Sequence, residues 1–474
     1  MTPVKPPVGI GVDAKPRTTG DPAAMERSTD QRSRDLVWHN RYMTVGSARE
    51  EAEGLIGFVD RSPSPYHACA EAGAMLSAGG FSEVSSELEW PDDGRHFLIS
   101  GGTLVAWSIP KSATPDSGVR IVAAHTDSPN LRIRARPEVE SAGFRQLSVE
   151  IYGWVLLNSW LDRDLGLSGR VTFVEDGETK RALLKVDRPL LRLPQLAIHL
   201  DPKVNDRGLR LNRQTQMAPI WGLLASDPPS FASFLEGELG VGHEAIRSWD
   251  VMAHPLEPSR LAGGNSEFIS APRLDNLGST FAATRAMVEC AGSDGISPSR
   301  TSVLVLFDHE EVGSQSATGA QGVLLASVLE RLILGMGGSR ASYLRSMANS
   351  FCVSADMCHA VHPNYVDKSE PQHFVSMNQG PAIKRQSSQA YATEANTQAM
   401  FAAACDTAGV PWQVFMDRSD IPSGSTVGPM TAAHLGVATV DVGMTQLAMH
   451  TARELAGADD PQYFIKALIA FLAD

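Results

Sequence analysis

The second half of the chain alternates short apolar runs with longer segments of helical periodicity. The predicted strands are 302–307, 351–355 and 438–442, and the predicted helices are about 276–291, 321–335, 389–408 and 461–473. Strands that alternate with helices of this length imply a mostly parallel sheet that is covered on both faces. The sequence therefore predicts an α/β, doubly wound fold for this part of the chain.

The first half predicts two further regions. Ser47 is placed to cap a first helix, a second helix over about 66–78 stops at Gly79-Gly80, and a Gly101-Gly102 turn predicts a hairpin. An apolar strand follows at 120–124. Residues 132–265 contain alternating strands and few helical patterns. We therefore expect a discontinuous α/β domain, 43–131 and 266–474, with an inserted β-rich domain, 132–265.

Residues 1–42 differ from the rest of the chain because they contain five prolines and no strand or helix periodicity. Such a segment buries too little apolar surface to offset the entropy lost on ordering. We expect a disordered extension, or translated sequence upstream of a true start near Met43.

Composition excludes several classes of protein. With 41 Lys+Arg against 54 Asp+Glu, the net charge is -13, which argues against nucleic acid as the main partner. No apolar run reaches the roughly 18 residues that a membrane span needs. Five scattered cysteines, without a CxxC pair, predict a reducing, cytoplasmic location and argue against a thiolate zinc site. A metal would have to be held by oxygen and imidazole ligands.

Polar side chains fall where the predicted strands end. They are His125 and Asp127 after strand 120–124, Glu310 and Glu311 after 302–307, Asp356 after 351–355, His450 after 438–442, and Asp275 at the start of helix 276–291. In an open α/β sheet, ligands bind beyond the carboxyl ends of the strands. We therefore expect these residues to converge despite their separation in sequence.

Two imidazoles with several carboxylates suit zinc, manganese or cobalt. In the Glu310-Glu311 pair, one residue can bind metal while its neighbour takes the proton of an attacking water. Asp127 can accept the second imidazole N–H of His125, and Asp275 is the candidate to bridge two metals. The pattern predicts a dinuclear metallohydrolase.

Each residue alone has a simpler interpretation. A single histidine at a strand end is more often a hydrogen-bonded structural residue, and adjacent glutamates usually lie in a solvated loop. Asp275 before a helix is most simply a helix N-cap. Only their joint placement at successive strand ends favours a metal site.

Five motifs together resemble the aspartyl aminopeptidase family of dinuclear zinc peptidases. They are Ala124-His-Thr-Asp-Ser-Pro-Asn130, Pro272-Arg-Leu-Asp-Asn276, Phe307-Asp-His-Glu-Glu-Val-Gly-Ser314, Ala355-Asp-Met357 with His359-Ala-Val-His-Pro-Asn-Tyr365, and Met449-His-Thr-Ala-Arg-Glu454. The resemblance runs from about residue 45 to 474, and the extension 1–42 departs from it.

The resemblance implies two Zn²⁺ ions per subunit, with Mn²⁺ or Co²⁺ as possible substitutes, and a role for each site residue. The implied ligands are His125 and Asp356 for one ion, Glu311 and His450 for the other, and Asp275 for both. Glu310 would be the general base for a water activated by the two metals, and Asp127 would orient His125.

The resemblance also implies peptide substrates with a free N-terminus and a large homo-oligomer, typically a dodecamer, built through the inserted domain. His199 matches a histidine that reaches a neighbouring subunit's active site, and Lys384 matches a position that contacts an acidic substrate side chain. His359 is a second candidate to line the site. Lys384 could instead be an ordinary surface lysine.

The expected activity is removal of N-terminal Asp or Glu, because a cationic group facing the first side chain selects a carboxylate. Three alternatives remain. Related enzymes prefer neutral or apolar N-terminal residues, the chain could be a non-enzymatic oligomeric scaffold, or it could hydrolyse another amide as an N-acyl amino acid deacylase.

Overall fold

The protein is represented by a computed structural model that describes residues 45–224, 229–292 and 298–474. The predicted disordered extension, 1–42, lies outside the described residues. The described strands are β1 Ser82–Glu83, β2 Gly94–Ser100, β3 Thr103–Ile109, β4 Val119–His125, β5 Asn130–Ser141, β6 Phe144–Tyr152, β7 Asp164–Glu175, β8 Glu178–Arg192, β9 Ile220–Leu223, β10 Ile246–Pro255, β11 Arg260–Ala262, β12 Phe268–Ala271, β13 Thr301–Phe307, β14 Phe351–Ala355, β15 Cys358–His359, β16 Ala382–Arg385, β17 Gln413–Met416, β18 Ala438–Gly443, β19 Thr445–Leu447 and β20 Glu454–Gly457. The described helices are α1 Ala48–Arg61, α2 Pro65–Ala78, α3 Val204–Arg207, α4 Phe231–Leu239, α5 Leu274–Gly292, α6 Leu324–Gly335, α7 Arg340–Ala348, α8 Ala395–Ala408, α9 Val427–Leu435 and α10 Asp460–Ala473.

A nine-stranded mixed sheet forms the centre of the molecule, in the order β1-β2-β3-β13-β4-β14-β18-β16-β17. Its four middle strands, β13, β4, β14 and β18, are parallel to their neighbours in this set. In register, Phe307 of β13 pairs with His125 of β4, and Ala355 of β14 pairs with Val442 of β18. The carboxyl ends of these strands therefore share one edge, which confirms the predicted α/β sheet.

Helices cover both faces of this sheet. Alternate residues of β4 point into two separate cores: Val122 and Ala124 pack with α1, α2, α5, α8 and α10, whereas Ile121 and Ala123 pack with α6, α7 and α9. Side chains in a strand alternate between faces, so a strand buried on both faces must be apolar throughout. That requirement explains the continuous apolar run at 120–124 and confirms the doubly wound fold.

Most of the predicted helices are found, with local corrections. Ser47 caps α1 in a capping box with Glu50, as the sequence predicted. The helix predicted over 389–408 was too long, because Glu394 and Thr397 form a capping box that starts α8 at Ala395. The sequence also missed α7 and α9, which are nine residues each.

The β-rich region contains a closed six-stranded barrel, in the order β10-β5-β6-β9-β8-β7. Its interior is apolar, with Leu131, Leu167 and Val251 among its buried residues. A third sheet, β11-β12-β20-β19-β15, lies outside the barrel and includes strand 260–262. The division of the chain at residues 132 and 265 stays a prediction.

Candidate metal centre

The predicted site residues meet at the carboxyl edge of the central sheet. His125 is the last residue of β4, Asp356 directly follows β14, and Glu311 lies in a single 3-10 turn after β13. Asp275 lies at the start of α5, where its φ of -83° and ψ of 104° are not helical, and His450 lies between β19 and β20. The strand ends therefore bring together residues that are far apart in sequence.

The side chains form two groups that share one carboxylate. In the first group, Nε2 of His125 lies 3.5 Å from Oδ1 of Asp275 and 3.4 Å from Oδ1 of Asp356. In the second, Nε2 of His450 lies 3.2 Å from Oδ2 of Asp275 and 3.4 Å from Oε2 of Glu311. The ligand atoms within each group lie within 4.8 Å of one another. Asp275 thus presents a different oxygen to each group.

The donor set fits two divalent cations. Oδ1 of Asp275 and Oε1 of Glu311 are buried and have no hydrogen-bond partner. A buried ionised oxygen needs such a partner or a cation, because burial removes its hydration. Three carboxylates with two imidazoles are ligands of the type that zinc, manganese and cobalt accept.

Glu310 lies beside the two groups but belongs to neither. Its Oε2 is 4.0 Å from Nε2 of His125, and its side chain is largely buried. Burial raises the pKa of the Glu310 carboxyl to about 8, and the charge of Asp356 acts in the same direction. Once ionised, a carboxylate with a raised pKa takes up a proton more readily than an exposed one.

Asp127 supports the first group through hydrogen bonds. Nδ1 of His125 lies 3.0 Å from the main-chain oxygen of Asp127 and 3.5 Å from its Oδ1, so the nearer acceptor is the carbonyl rather than the carboxylate. The carboxylate itself accepts the main-chain N–H groups of Glu310 and Glu311 at 3.1 and 3.2 Å. Asp127 therefore connects the imidazole of β4 to the loop after β13.

Sequence reasoning missed Glu454, which supports the second group. Its Oε1 accepts the N–H of His450 at 2.8 Å, and its Oε2 accepts the N–H of Asp275 at 3.1 Å. The position of Glu454 four residues after His450 was the available signal. Nδ1 of His450 also lies 3.1 Å from the carbonyl of Trp154, a main-chain contact that no side-chain pattern predicts.

Comparison with known proteins identifies the family of the chain. The sequence profile of the aminopeptidase I zinc metalloprotease family (M18) matches residues 58–472. Probable M18 family aminopeptidase 2 of Streptomyces coelicolor is 46% identical over 426 residues, which cover 90% of this chain and 98% of that protein. The chain belongs to the M18 family of zinc aminopeptidases. The resemblance found in the sequence is therefore confirmed at the level of the family.

Two solved structures share the fold. The cryo-EM structure of the Ape4 and Nbr1 complex superposes with a TM-score of 0.86 at 36% identity, covering 90% of this chain and 86% of that chain. The S. cerevisiae mApe1 dodecamer superposes with a TM-score of 0.77 at 26% identity, covering 89% and 95%. Both similarities span most of the chain.

In this M18 chain, the three residues that the sequence predicted to bind substrate lie in different surroundings. Lys384 is 3% exposed, and its Nζ donates to Oδ2 of Asp356 at 2.9 Å, so the alternative of an ordinary surface lysine is wrong. His359, in β15, is exposed. His199 lies in an exposed turn, Ile198–Leu200. Of these three residues, only Lys384 has a described contact with a residue of the two metal groups.

Two further observations concern the helices and the cysteines. Within the described ranges, none of the helices has the length and apolar character that crossing a membrane requires. All five cysteines are buried and unpaired.

Proposed function

We propose that this M18 aminopeptidase binds two zinc ions per chain and removes single acidic residues, Asp or Glu, from the N-termini of peptides. The observation that carries the proposal is the pair of ligand groups that share Asp275, with Glu310 next to them but in neither. The proposed ligands are His125, Asp356 and Asp275 for one ion, and Glu311, His450 and Asp275 for the other.

Bound zinc would supply Lewis acidity toward water and the scissile carbonyl. Glu310 would act as the general base, with its Oε2 taking a proton from the attacking water and returning it to the leaving amine. Asp127 would keep both Glu310 and His125 in place, because it contacts the main chain of the first and the imidazole of the second. The side chains thus have separate tasks of holding metal, moving a proton and maintaining geometry.

Replacing Glu310 with Gln tests the proposed base. Activity should fall by about 10²- to 10⁴-fold, while zinc content, measured by elemental analysis, stays near two per chain. Glu89→Gln, at an exposed position, is the matched control. Full residual activity of the Glu310 variant would refute its role. A wild-type protein that stays inert on all peptides after zinc is removed and restored would favour the scaffold alternative.

Lys384 supports the acidic preference through its charge, but its surroundings favour a second candidate. Nζ of Lys384 already donates to Asp356 and lies 5.5 Å from the Tyr391 ring centroid, so part of its capacity to bind a substrate carboxylate is used within the protein. An enzyme that prefers neutral or apolar N-terminal residues is therefore the alternative. Rates on Asp, Glu, Leu and Ala chromogenic substrates, for wild type and Lys384→Ala, separate the two. Selective loss of the acidic substrates supports the first candidate, and uniform loss supports the second.

We also propose that the β-rich region, 132–265, mediates assembly into a homo-oligomer and that the enzyme is cytoplasmic. The dodecamer of S. cerevisiae mApe1 supports assembly. Leu196, Ile198 and Leu200 are exposed around His199, an apolar run typical of an interface. The buried, unpaired cysteines support a reducing compartment.

A further inference from the structure

We propose that the segment Tyr152–Leu156 of the barrel, called the barrel tip below, is a positioning part of the metal centre within its own chain. The proposal rests on the proposed function, because it concerns bound zinc. It assigns the β-rich region a role beyond subunit contacts. The barrel tip contacts residues on both sides of the site, and three separate contacts carry the inference.

The first contact leads to the group that contains His125. The hydroxyl of Tyr152 donates to Oδ2 of Asp127 at 2.6 Å, and both residues are buried. The same Asp127 accepts from His125 through its carbonyl and from the main chain of Glu310 and Glu311 through its carboxylate. Without the hydroxyl, the buried carboxylate of Asp127 loses a hydrogen-bond donor, and the residues that Asp127 contacts are held less firmly.

The second contact leads to the group that contains His450. The carbonyl of Trp154 lies 3.1 Å from Nδ1 of His450, and the N–H of Leu156 donates to the main-chain oxygen of His450 at 3.0 Å. A carbonyl can only accept, so it selects the tautomer with hydrogen on Nδ1. Nε2, which faces Asp275 and Glu311, is then left free to bind metal.

The third contact is a close approach of main chain to Glu311. Gly153 has a φ of +73°, and a Cβ added there would lie 3.2 Å from Cβ of Glu311 and 3.3 Å from Cγ of Pro129. Glycine therefore serves both the backbone conformation and the narrow space. A methyl group at this position would press on a proposed zinc ligand.

The barrel tip is continuous with the barrel, which gives it a rigid support. Tyr152 ends β6 and pairs in register with Asn130 of β5. The guanidinium of Arg132, also in β5, lies 3.6 Å from the centroid of the Tyr152 ring. A displacement of the barrel would therefore move Asp127 and His450 together, so zinc affinity should depend on the position of the barrel.

Two variants and two matched controls test the inference. Tyr152→Phe removes only the hydroxyl, and Gly153→Ala adds only a methyl group. Tyr66→Phe is the first control, because it also removes a tyrosine hydroxyl. The centroid of the Tyr66 ring lies 4.3 Å from the guanidinium carbon of Arg170 in the barrel, and none of the described contacts joins Tyr66 to Asp127. Gly143→Ala is the second, because Gly143 has a φ of +80° at the other end of β6 and open space around it.

Zinc affinity is measured for each full-length variant by competition with a metallochromic chelator, with the thermal midpoint as a check on folding. We expect Tyr152→Phe and Gly153→Ala to bind zinc about 10-fold or more weakly than wild type, and the controls to match wild type. Wild-type affinity in both variants, or equal weakening in the controls, overturns the inference and leaves the proposed function intact. Absence of zinc binding by wild type overturns both. Should Tyr152→Phe not fold, Gly153→Ala with its control decides.

Discussion

Removal of one acceptor oxygen from Glu454 should weaken zinc binding without direct contact between this residue and the metal. The Glu454 carboxylate accepts one main-chain N–H from His450 and another from Asp275. In Glu454→Gln, one oxygen becomes an NH₂ group that can only donate, so one of these bonds is lost. Burial raises the pKa of the Glu454 carboxyl to about 8, and once this carboxyl is ionised a hydrogen bond to it contributes about 1.5–3 kcal/mol. If the zinc-bound arrangement bears the whole loss, zinc affinity falls about 10- to 100-fold, since 1.4 kcal/mol is tenfold.

Chelator competition measures this affinity, and peptidase rates across a zinc titration give a second readout. We expect the Glu454→Gln rate to be low at limiting zinc and to recover at high zinc. Glu267→Gln is the matched control, because Oε2 of Glu267 also accepts a main-chain N–H, at 2.7 Å from Asn265. Unchanged zinc affinity in a folded Glu454 variant would show that other contacts fix the two ligands and would refute this reasoning.

Three further outcomes are expected. Leu200→Glu, at a side chain that is 73% exposed, should shift mass photometry toward smaller species, because it places charge in the proposed interface; an unchanged mass distribution would contradict this. Deletion of 1–42 should leave zinc content and rate unchanged, since all proposed ligands lie outside that segment. Gly443→Ala should lower the thermal midpoint and the free energy of unfolding, the latter by about 1–3 kcal/mol, because the added Cβ would overlap the main-chain oxygen of Asp356. Gly424→Ala, which has open space around the added Cβ, should leave both unchanged.

The sequence predicted the position of the site because parallel strands impose it. His125 and Asp356 each end or follow a strand whose apolar residues are readable, and parallel strands share a carboxyl edge. The central strands β4, β13, β14 and β18 were therefore predictable as a group. The same reasoning placed Glu310 and Glu311 beside them.

Support for the site was less predictable, because it depends on main-chain atoms and on packing between distant segments. The carbonyl of Trp154 has no sequence pattern, and it reaches a residue 296 positions away. The contact of Tyr152 with Asp127 joins the barrel to the loop after β4, and no local pattern around Tyr152 indicates it. Short elements such as β16 and β17, of four residues each, also carry too little periodicity to be recognised.

Part of the negative charge of the chain lies at the proposed metal site. The net charge of -13 includes several carboxylates that are buried at one edge of the sheet, where two divalent cations would offset them. Lys384 adds a buried positive charge at the same place. The proposed cations, together with Lys384, would thus reduce the negative charge that a peptide end meets at this site.

Anomalous scattering at the zinc absorption edge, recorded from crystals of the zinc-loaded protein, tests the central claim most directly. We predict two peaks per chain, one among His125, Asp275 and Asp356, and the other among Asp275, Glu311 and His450. A single peak that does not contact Asp275, or no peak at either group, would contradict the shared-carboxylate site.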